Sequence, residues 1–317
     1  MPSTNKNEFP KISVADFIEK SSVELDIEIL EGEKGLKRKQ IVSKRIQKLG
    51  LALTGFTHYI QEGSIQIVGQ SEISYLSQLE KAQRIEAINN LDLEKICCIL
   101  IPKKLEPPAE LLKIADERQL PILRTAQTSS NAVGIISKFL AEILAPQTTR
   151  HGVLVGMYGL GVLLLGESGI GKSECALDLI ARGHRLVADD AVLIKRIGEN
   201  LEGFSPELTY EHLEIRGLGI VNVRALFGIS AVADRKKIEL CIEFKKWKDA
   251  VDVERLGLDA REEEIFGVKL TKFILPVSGG RNLSVLVETA VRVHLLKMAG
   301  FDAAQKLIAK HSTMVGM

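Results

Sequence analysis

The sequence predicts an α/β protein in two parts: an N-terminal α/β domain over residues 1–145 and a C-terminal domain over residues 146–317 built around a phosphate-binding loop. Three observations predict it. Apolar strand-like runs alternate with helix-like segments through the first half, the pattern of a largely parallel layered sheet. A short polar stretch containing a proline, residues 145–150 (APQTTR), then breaks that pattern. Beyond it, glycine-punctuated strands run into GESGIGKS and a helix.

The elements follow in order. Ser13 fits the N-cap of a short helix, VADFIEK. Residues 25–30 (LDIEIL) alternate apolar and acidic side chains, as a half-buried strand does. Residues 64–68 (SIQIV) form another strand, and Ser71 opens one long helix to about Asn89. Residues 96–101 (ICCILI) are continuously apolar, which suits a strand covered on both faces. Pro107 begins a helix to about Arg118, residues 121–123 make a short strand, and Ser129 opens a helix ending near Leu144. In the second half, residues 151–155 and 162–165 are strands. Leu283, Leu286, Val287, Ala290 and Val291 fall at helix spacing, and Asp302 is placed to cap a last helix.

The bulk numbers exclude several classes. Hydrophobic residues are 45% and charged residues 26% of the chain, the balance of a soluble globular protein. Lys plus Arg (42) nearly cancels Asp plus Glu (41), so no general attraction to nucleic acid or an anionic membrane follows. The polar amino terminus has no secretory apolar core, and no run approaches the roughly 18 apolar residues of a membrane helix. Cys97, Cys98, Cys175 and Cys241 form no C-x-x-C pair, and three lie in apolar runs. Buried free thiols in a reducing cytoplasm fit this better than disulfides or zinc.

Gly166, Glu167, Ser168, Gly169, Ile170, Gly171, Lys172 and Ser173 satisfy G-x-x-x-x-G-K-[ST] at every fixed position. The strand VLLL precedes them and the helix SECALDLIAR follows. The glycines let backbone N–H groups curl around a phosphate, and the helix aims its positive end there. Lys172 adds an ammonium and Ser173 a hydroxyl for Mg²⁺. ATP or pyrophosphate is the implied ligand. One helix and one strand further on, LVADD brings Asp189 and Asp190 to a strand end. Two carboxylates beside phosphates can divide the work, one holding the metal shell and the other taking a proton from an attacking hydroxyl. Taken without the neighbouring loop, the same pair could equally cap a turn. No N-K-x-D follows the loop, which argues against a regulatory GTPase.

Several blocks in the second half resemble the HPr kinase/phosphorylase family. They are HGVLV with YGLGVLLLGESGIGKSE, RGHRLVADDAV, LEIRGLGIVNV, DVERLG and PVSGGRN, in that order. The first half matches only in general character. The resemblance implies a kinase domain built like phosphoenolpyruvate carboxykinase, a homohexamer, Mg²⁺, and the phosphocarrier protein HPr as the protein partner phosphorylated and dephosphorylated on a serine. Carried over position by position, Asp190 would be the base and, in reverse, the acid, with Asp189 supporting it. His151 would be the other catalytic residue on the strand before the loop. Lys172 would hold the transferring phosphate, Ser173 and Glu214 would ligate Mg²⁺, and Arg255 would stabilise the transferring group. Arg216 would support the site. Pro276, Val277, Ser278, Gly279, Gly280 and Arg281 would form the dephosphorylation loop. Blander readings stand beside these: a core histidine at 151, a solvent-facing Glu214, and a surface ion pair at Arg255. The sequence departs from the family at Ser278, where a basic residue is common, and at Gly156, where an acidic one is. A small-molecule kinase on the same scaffold and a nucleotide sensor without catalysis remain the rival functions.

Overall fold

The computed structural model describes residues 10–247, 261–302 and 306. The chain divides into two compact units, Met1–Ala145 and Pro146–Met317.

In the first unit the strands lie in the order Ile27–Glu31, Ile122–Thr125, Ile96–Ile101, Ser64–Ile67 and Ile46–Lys48. Every neighbouring pair is parallel except the edge pair of Ile27–Glu31 with Ile122–Thr125. The expected parallel layer therefore carries one antiparallel edge. Strand Ile96–Ile101 is buried at all six positions, and its side chains divide between two apolar clusters. Ile99 and Ile101 pack with helices Gln70–Gln78, Lys81–Asn89 and Ala109–Glu117. Cys98 and Leu100 pack with helices Val14–Leu25 and Ser129–Ile143. The two-residue period of a strand makes one apolar run serve both faces.

Local side-chain signals start several of the helices. The Ser13 hydroxyl accepts the Asp16 N–H at 3.0 Å, and the helix it caps runs on to Leu25, past the predicted stretch. The single helix expected from Ser71 to Asn89 is two helices. Glu80 is extended between them, with φ −64° and ψ 156°, and its N–H donates to Gln83 Oε1 at 3.1 Å. A capping-box pattern within an apolar periodicity thus starts a second helix rather than continuing the first.

The second unit carries a nine-stranded sheet. Strand Leu160–Gly166 runs parallel to Arg235–Lys246, which runs parallel to Val268–Val277. On its other side lies antiparallel Val153–Met157, then Arg185–Ala188, antiparallel to that. Two reversals make Arg185–Ala188 parallel to Leu160–Gly166. The carboxyl ends of four strands therefore meet one edge, where ligand crevices of such sheets open. The polar stretch at residues 145–150, expected as a break, instead enters strand Gln147–His151, paired with Ala191–Ile197. The chain turns at Gly152, so the strand expected over residues 151–155 begins at Val153. Helices Lys172–Ala181 and Leu283–Met298 cover an apolar cluster that includes Val162, Leu164, Leu240, Val287 and Val291. All four cysteines are free and buried.

Candidate phosphoryl-transfer site

The loop after strand Leu160–Gly166 closes into helix Lys172–Ala181, whose N-cap is Gly171 with φ +101°. L side chains rarely adopt that conformation, so glycine is required there. At Gly169, φ is +76°, and a Cβ would lie 2.8 Å from an Arg216 guanidinium nitrogen. The loop can therefore bring Arg216 against its backbone.

Lys172 is 6% exposed. Its ammonium donates to the Gly166 and Glu167 carbonyls, both at 2.9 Å, and lies 3.3 Å from His151 Nε2. Burial lowers its pKa, opposed by the charges of Asp189, Asp190 and Glu174. An ammonium has only donors, so Nε2 accepts and the His151 proton sits on Nδ1. That nitrogen is 2.9 Å from Asp190 Oδ1 and donates to it. A chain of polar contacts thus links Lys172, His151 and Asp190.

The two aspartates differ in burial and in partners. Asp190 has φ +63°, a left-handed conformation that a short polar side chain tolerates. This turn buries Asp189, 3% exposed, and leaves the Asp190 side chain 66% exposed. Asp189 accepts the Ser173 hydroxyl at 3.0 Å and the Glu214 N–H at 3.1 Å. Burial raises its pKa, against these hydrogen bonds, which favour the carboxylate. Glu214 is exposed on the hairpin of His212–Ile215 and Gly219–Asn222, whose Leu213 and Ile215 point into the core.

His151, Ser168, Gly169, Lys172, Ser173, Asp189, Asp190, Glu214 and Arg216, with Gly171 and Glu174, line one cavity of about 150 Å³. It is lined by the donors and acceptors that a polyphosphate and an acceptor hydroxyl require.

Two matches with family models decide the family. Residues 12–140 match the HPr Serine kinase N terminus and residues 142–311 the HPr Serine kinase C-terminal domain. The chain belongs to the HPr serine kinase family. It is 43% identical over 304 residues to the HPr kinase/phosphorylase of Geobacter sulfurreducens, covering 94% of this chain and 95% of that one. The HPr kinase/phosphorylase of Caldicellulosiruptor bescii is 42% identical, over 90% of this chain and 92% of the relative. A solved structure of the Hpr(Ser) kinase/phosphatase from Coxiella burnetii matches at 38% identity, over 50% of this chain and 98% of that one, with a TM-score of 0.46.

Within this family member, most residues singled out from the sequence converge. The core-histidine reading of His151 fails, because its side chain is 49% exposed and paired with Asp190. Glu214 faces solvent and also lines the cavity. Ile170 packs against the core beneath the loop, and Glu167 pairs with Lys246 at 2.7 Å. Pro276 and Val277 end strand Val268–Val277, and Ser278, Gly279, Gly280 and Arg281 follow at the same sheet edge without lining the cavity. Gly156 pairs with Gly161 and Arg185 within the sheet, away from the cavity lining. Arg255 and the DVERLG segment lie outside the described residues, as does most of the helix expected after Asp302. Sequence reasoning missed Glu174 on the cavity wall and the stacking of Arg281 over the Trp247 ring, 4.8 Å from its centroid. Glu174 was legible, since it directly follows Ser173 on the loop's own helix.

Proposed function

We propose that this chain is a bifunctional serine protein kinase and phosphorylase acting on HPr, with catalysis in residues 146–317. The carrying observation is the division of labour between adjacent aspartates: Asp189 is fixed on Ser173, while Asp190 is exposed at the cavity and paired with His151. In the forward direction the serine hydroxyl gives its proton to Asp190 as its oxygen attacks the terminal phosphorus of ATP or pyrophosphate. The bridging P–O bond breaks, and ADP or phosphate leaves. In reverse, an oxygen of inorganic phosphate attacks the phosphoserine phosphorus. The P–Oγ bond breaks, the serine oxygen recovers its proton from Asp190, and pyrophosphate forms.

Lys172 and the loop amides supply the electrostatic part by holding phosphate oxygens as their charge redistributes. The Ser173 hydroxyl spends its proton on Asp189, which leaves its oxygen lone pairs available to a cation. With the Glu214 carboxylate on the same cavity, the donors are all hard oxygens. Mg²⁺ is held by few protein oxygens plus substrate phosphates, so this set suits it, although no cluster of three or more His, Cys, Asp or Glu occurs among the described residues. Bound there, Mg²⁺ would neutralise phosphate charge. Arg255 is assigned to the transferring group through the family motif.

Four buried free thiols suit a reducing cytoplasm. No helix among the described residues is long and apolar enough to cross a membrane. The family likeness implies a homohexamer, which light scattering on the purified protein would test.

The deciding experiment supplies Mg²⁺, HPr and labelled ATP, then chases with phosphate. Label on an HPr serine, released as pyrophosphate, is expected. Asp190→Asn should slow transfer by about 10²–10⁴-fold while ATP binding persists. A near wild-type rate in that variant would remove Asp190 as the base. Transfer to a metabolite without HPr, or binding without transfer, would move the reading to a small-molecule kinase or a sensor.

A further inference from the structure

Helix Lys172–Ala181 leaves the phosphate loop, and helix Leu283–Met298 leaves the loop that ends at Arg281. A ladder of polar side chains joins them. Asp178 accepts the hydroxyl of Ser284, which is 2% exposed. One turn further on each side, Arg182 reaches Glu288 at 3.5 Å. Arg182 Nε also donates to Asp178 at 3.2 Å, closing the ladder. Glu288 is held from behind by His184 at 3.0 Å and the Tyr158 hydroxyl at 3.1 Å. The Ser284 hydroxyl holds the Asp178 carboxyl below the usual carboxylate range, with Arg182 adding to the effect against partial burial.

The ladder fixes one end of a short connection. Asn282 caps helix Leu283–Met298 by accepting the Val285 N–H at 3.1 Å, and its Oδ1 lies 2.6 Å from the Ser284 hydroxyl. Arg281 immediately precedes that cap. At the other end the sheet fixes Val277, opposite Lys246. Trp247 follows Lys246, and the Arg281 guanidinium lies over its ring. Four residues separate Val277 from Asn282, so seating the helix start determines where Arg281 points.

We propose that Asp178 is a positioning residue: through Ser284 it seats the start of helix Leu283–Met298 and so holds Arg281 at the phosphate edge of the sheet, where the guanidinium captures inorganic phosphate. This rests on the kinase/phosphorylase reading. The forward reaction brings no anion beyond its phosphoryl donor, whereas the reverse reaction requires a separate phosphate. A planar guanidinium, held by stacking on an aromatic ring, matches two oxygens of such an anion.

Trp247 is the single tryptophan of the chain, so its emission reports on Arg281 independently of turnover. The full-length protein is compared with Asp178→Ala, Asp178→Asn, Ser284→Ala and, as a reference for a lost stack, Arg281→Ala. Asp178→Ala and Ser284→Ala are expected to shift the emission as Arg281→Ala does. They should raise the KM for phosphate in phosphorolysis about 10-fold, the size of one misplaced charge-assisted hydrogen bond. The forward kcat with ATP should change by less than about three-fold. Asp178→Asn keeps an acceptor oxygen for Ser284 and should restore both readouts. Unchanged emission and phosphate KM in folded Asp178→Ala, an equal loss in both directions, or Asp178→Asn behaving like the alanine variant would each overturn the proposal. A wild type that performs neither reaction would sink the functional reading instead, while the emission series would still decide whether Asp178 seats Arg281.

Discussion

Each unit builds its sheet around a fully apolar strand, yet the two strands end differently. Strand Ile96–Ile101 is followed by Pro102, Lys103 and Lys104, with both lysines at positive φ. The N–H of Lys103 donates to Gln127 at 2.8 Å and that of Lys104 to Thr125 at 2.9 Å. That strand end spends its amides on its own chain. Strand Leu160–Gly166 is followed by a turn of positive-φ glycines instead. There, Ile170 donates to Glu167 at 3.4 Å, while the N–H groups of Ser168, Gly169 and Gly171 reach no backbone carbonyl among the described residues. Similar burial thus produces a closed strand end in one unit and an anion-ready concavity in the other. The contrast separates what stabilises a sheet from what makes its edge reactive.

The strongest way to break this comparison is to damage the closed sheet. Leu100 is fully buried between helices Val14–Leu25 and Ser129–Ile143. Leu100→Ala should lower unfolding stability by about 2–5 kcal/mol through lost transfer energy and the cavity left behind. ATP affinity of the folded variant should stay within about two-fold, because Leu100 belongs to the other compact unit. Denaturant melts and calorimetric ATP titration measure the two quantities. A collapse of ATP affinity in folded protein would show that the sheets are not energetically separable.

The converse change belongs at the reactive edge. Asp189→Asn keeps the size of the side chain and removes a buried charge. It should reduce Mg²⁺-dependent activity by about 10–100-fold, since Asp189 orients Ser173 and the Glu214 backbone. Stability should change by less than about 1 kcal/mol or rise, as sites shaped for function commonly gain stability when relaxed. A large loss of melting temperature with activity intact would make Asp189 a structural aspartate and erase the contrast.

The reactive edge was also the more legible part of the chain. A fixed spacing of glycines, Lys172 and Ser173 identifies the loop because backbone geometry and phosphate shape tolerate few substitutes. Asp189 and Asp190 were legible as a pair from the residues themselves, and their separate roles only through the family resemblance. Their division depends on the φ of Asp190, and propensity assigns no positive φ to a given aspartate. Strand Gln147–His151 was illegible for a different reason. It is mostly exposed, so no apolar alternation marks it, and it exists because it pairs with Ala191–Ile197. The break at Glu80 was readable in principle from its Gln83 partner, but apolar residues kept helical spacing across it. The ladder of Asp178, Arg182, Ser284 and Glu288 joins residues about a hundred positions apart, and local pattern carries no trace of it.

The smallest test concerns the loop beside the concavity. Ser278 places a neutral side chain three residues before Arg281, and its carbonyl accepts the Arg281 N–H at 3.3 Å. Ser278→Lys would bring a second cation to the edge where Arg281 is proposed to receive phosphate. The loop is open to solvent, so screening limits the gain to about 1 kcal/mol, or roughly five-fold in the KM for phosphate. That gain should shrink as ionic strength rises from 0.05 to about 0.5 M, because an exposed charge acts through a screened field. The forward kinase rate should not follow it. A salt-insensitive gain would mean that the lysine makes a buried contact. An equal gain in both directions would mean that the extra charge acts on the phosphate loop itself, and the edge would then have to be treated as one anion site rather than two.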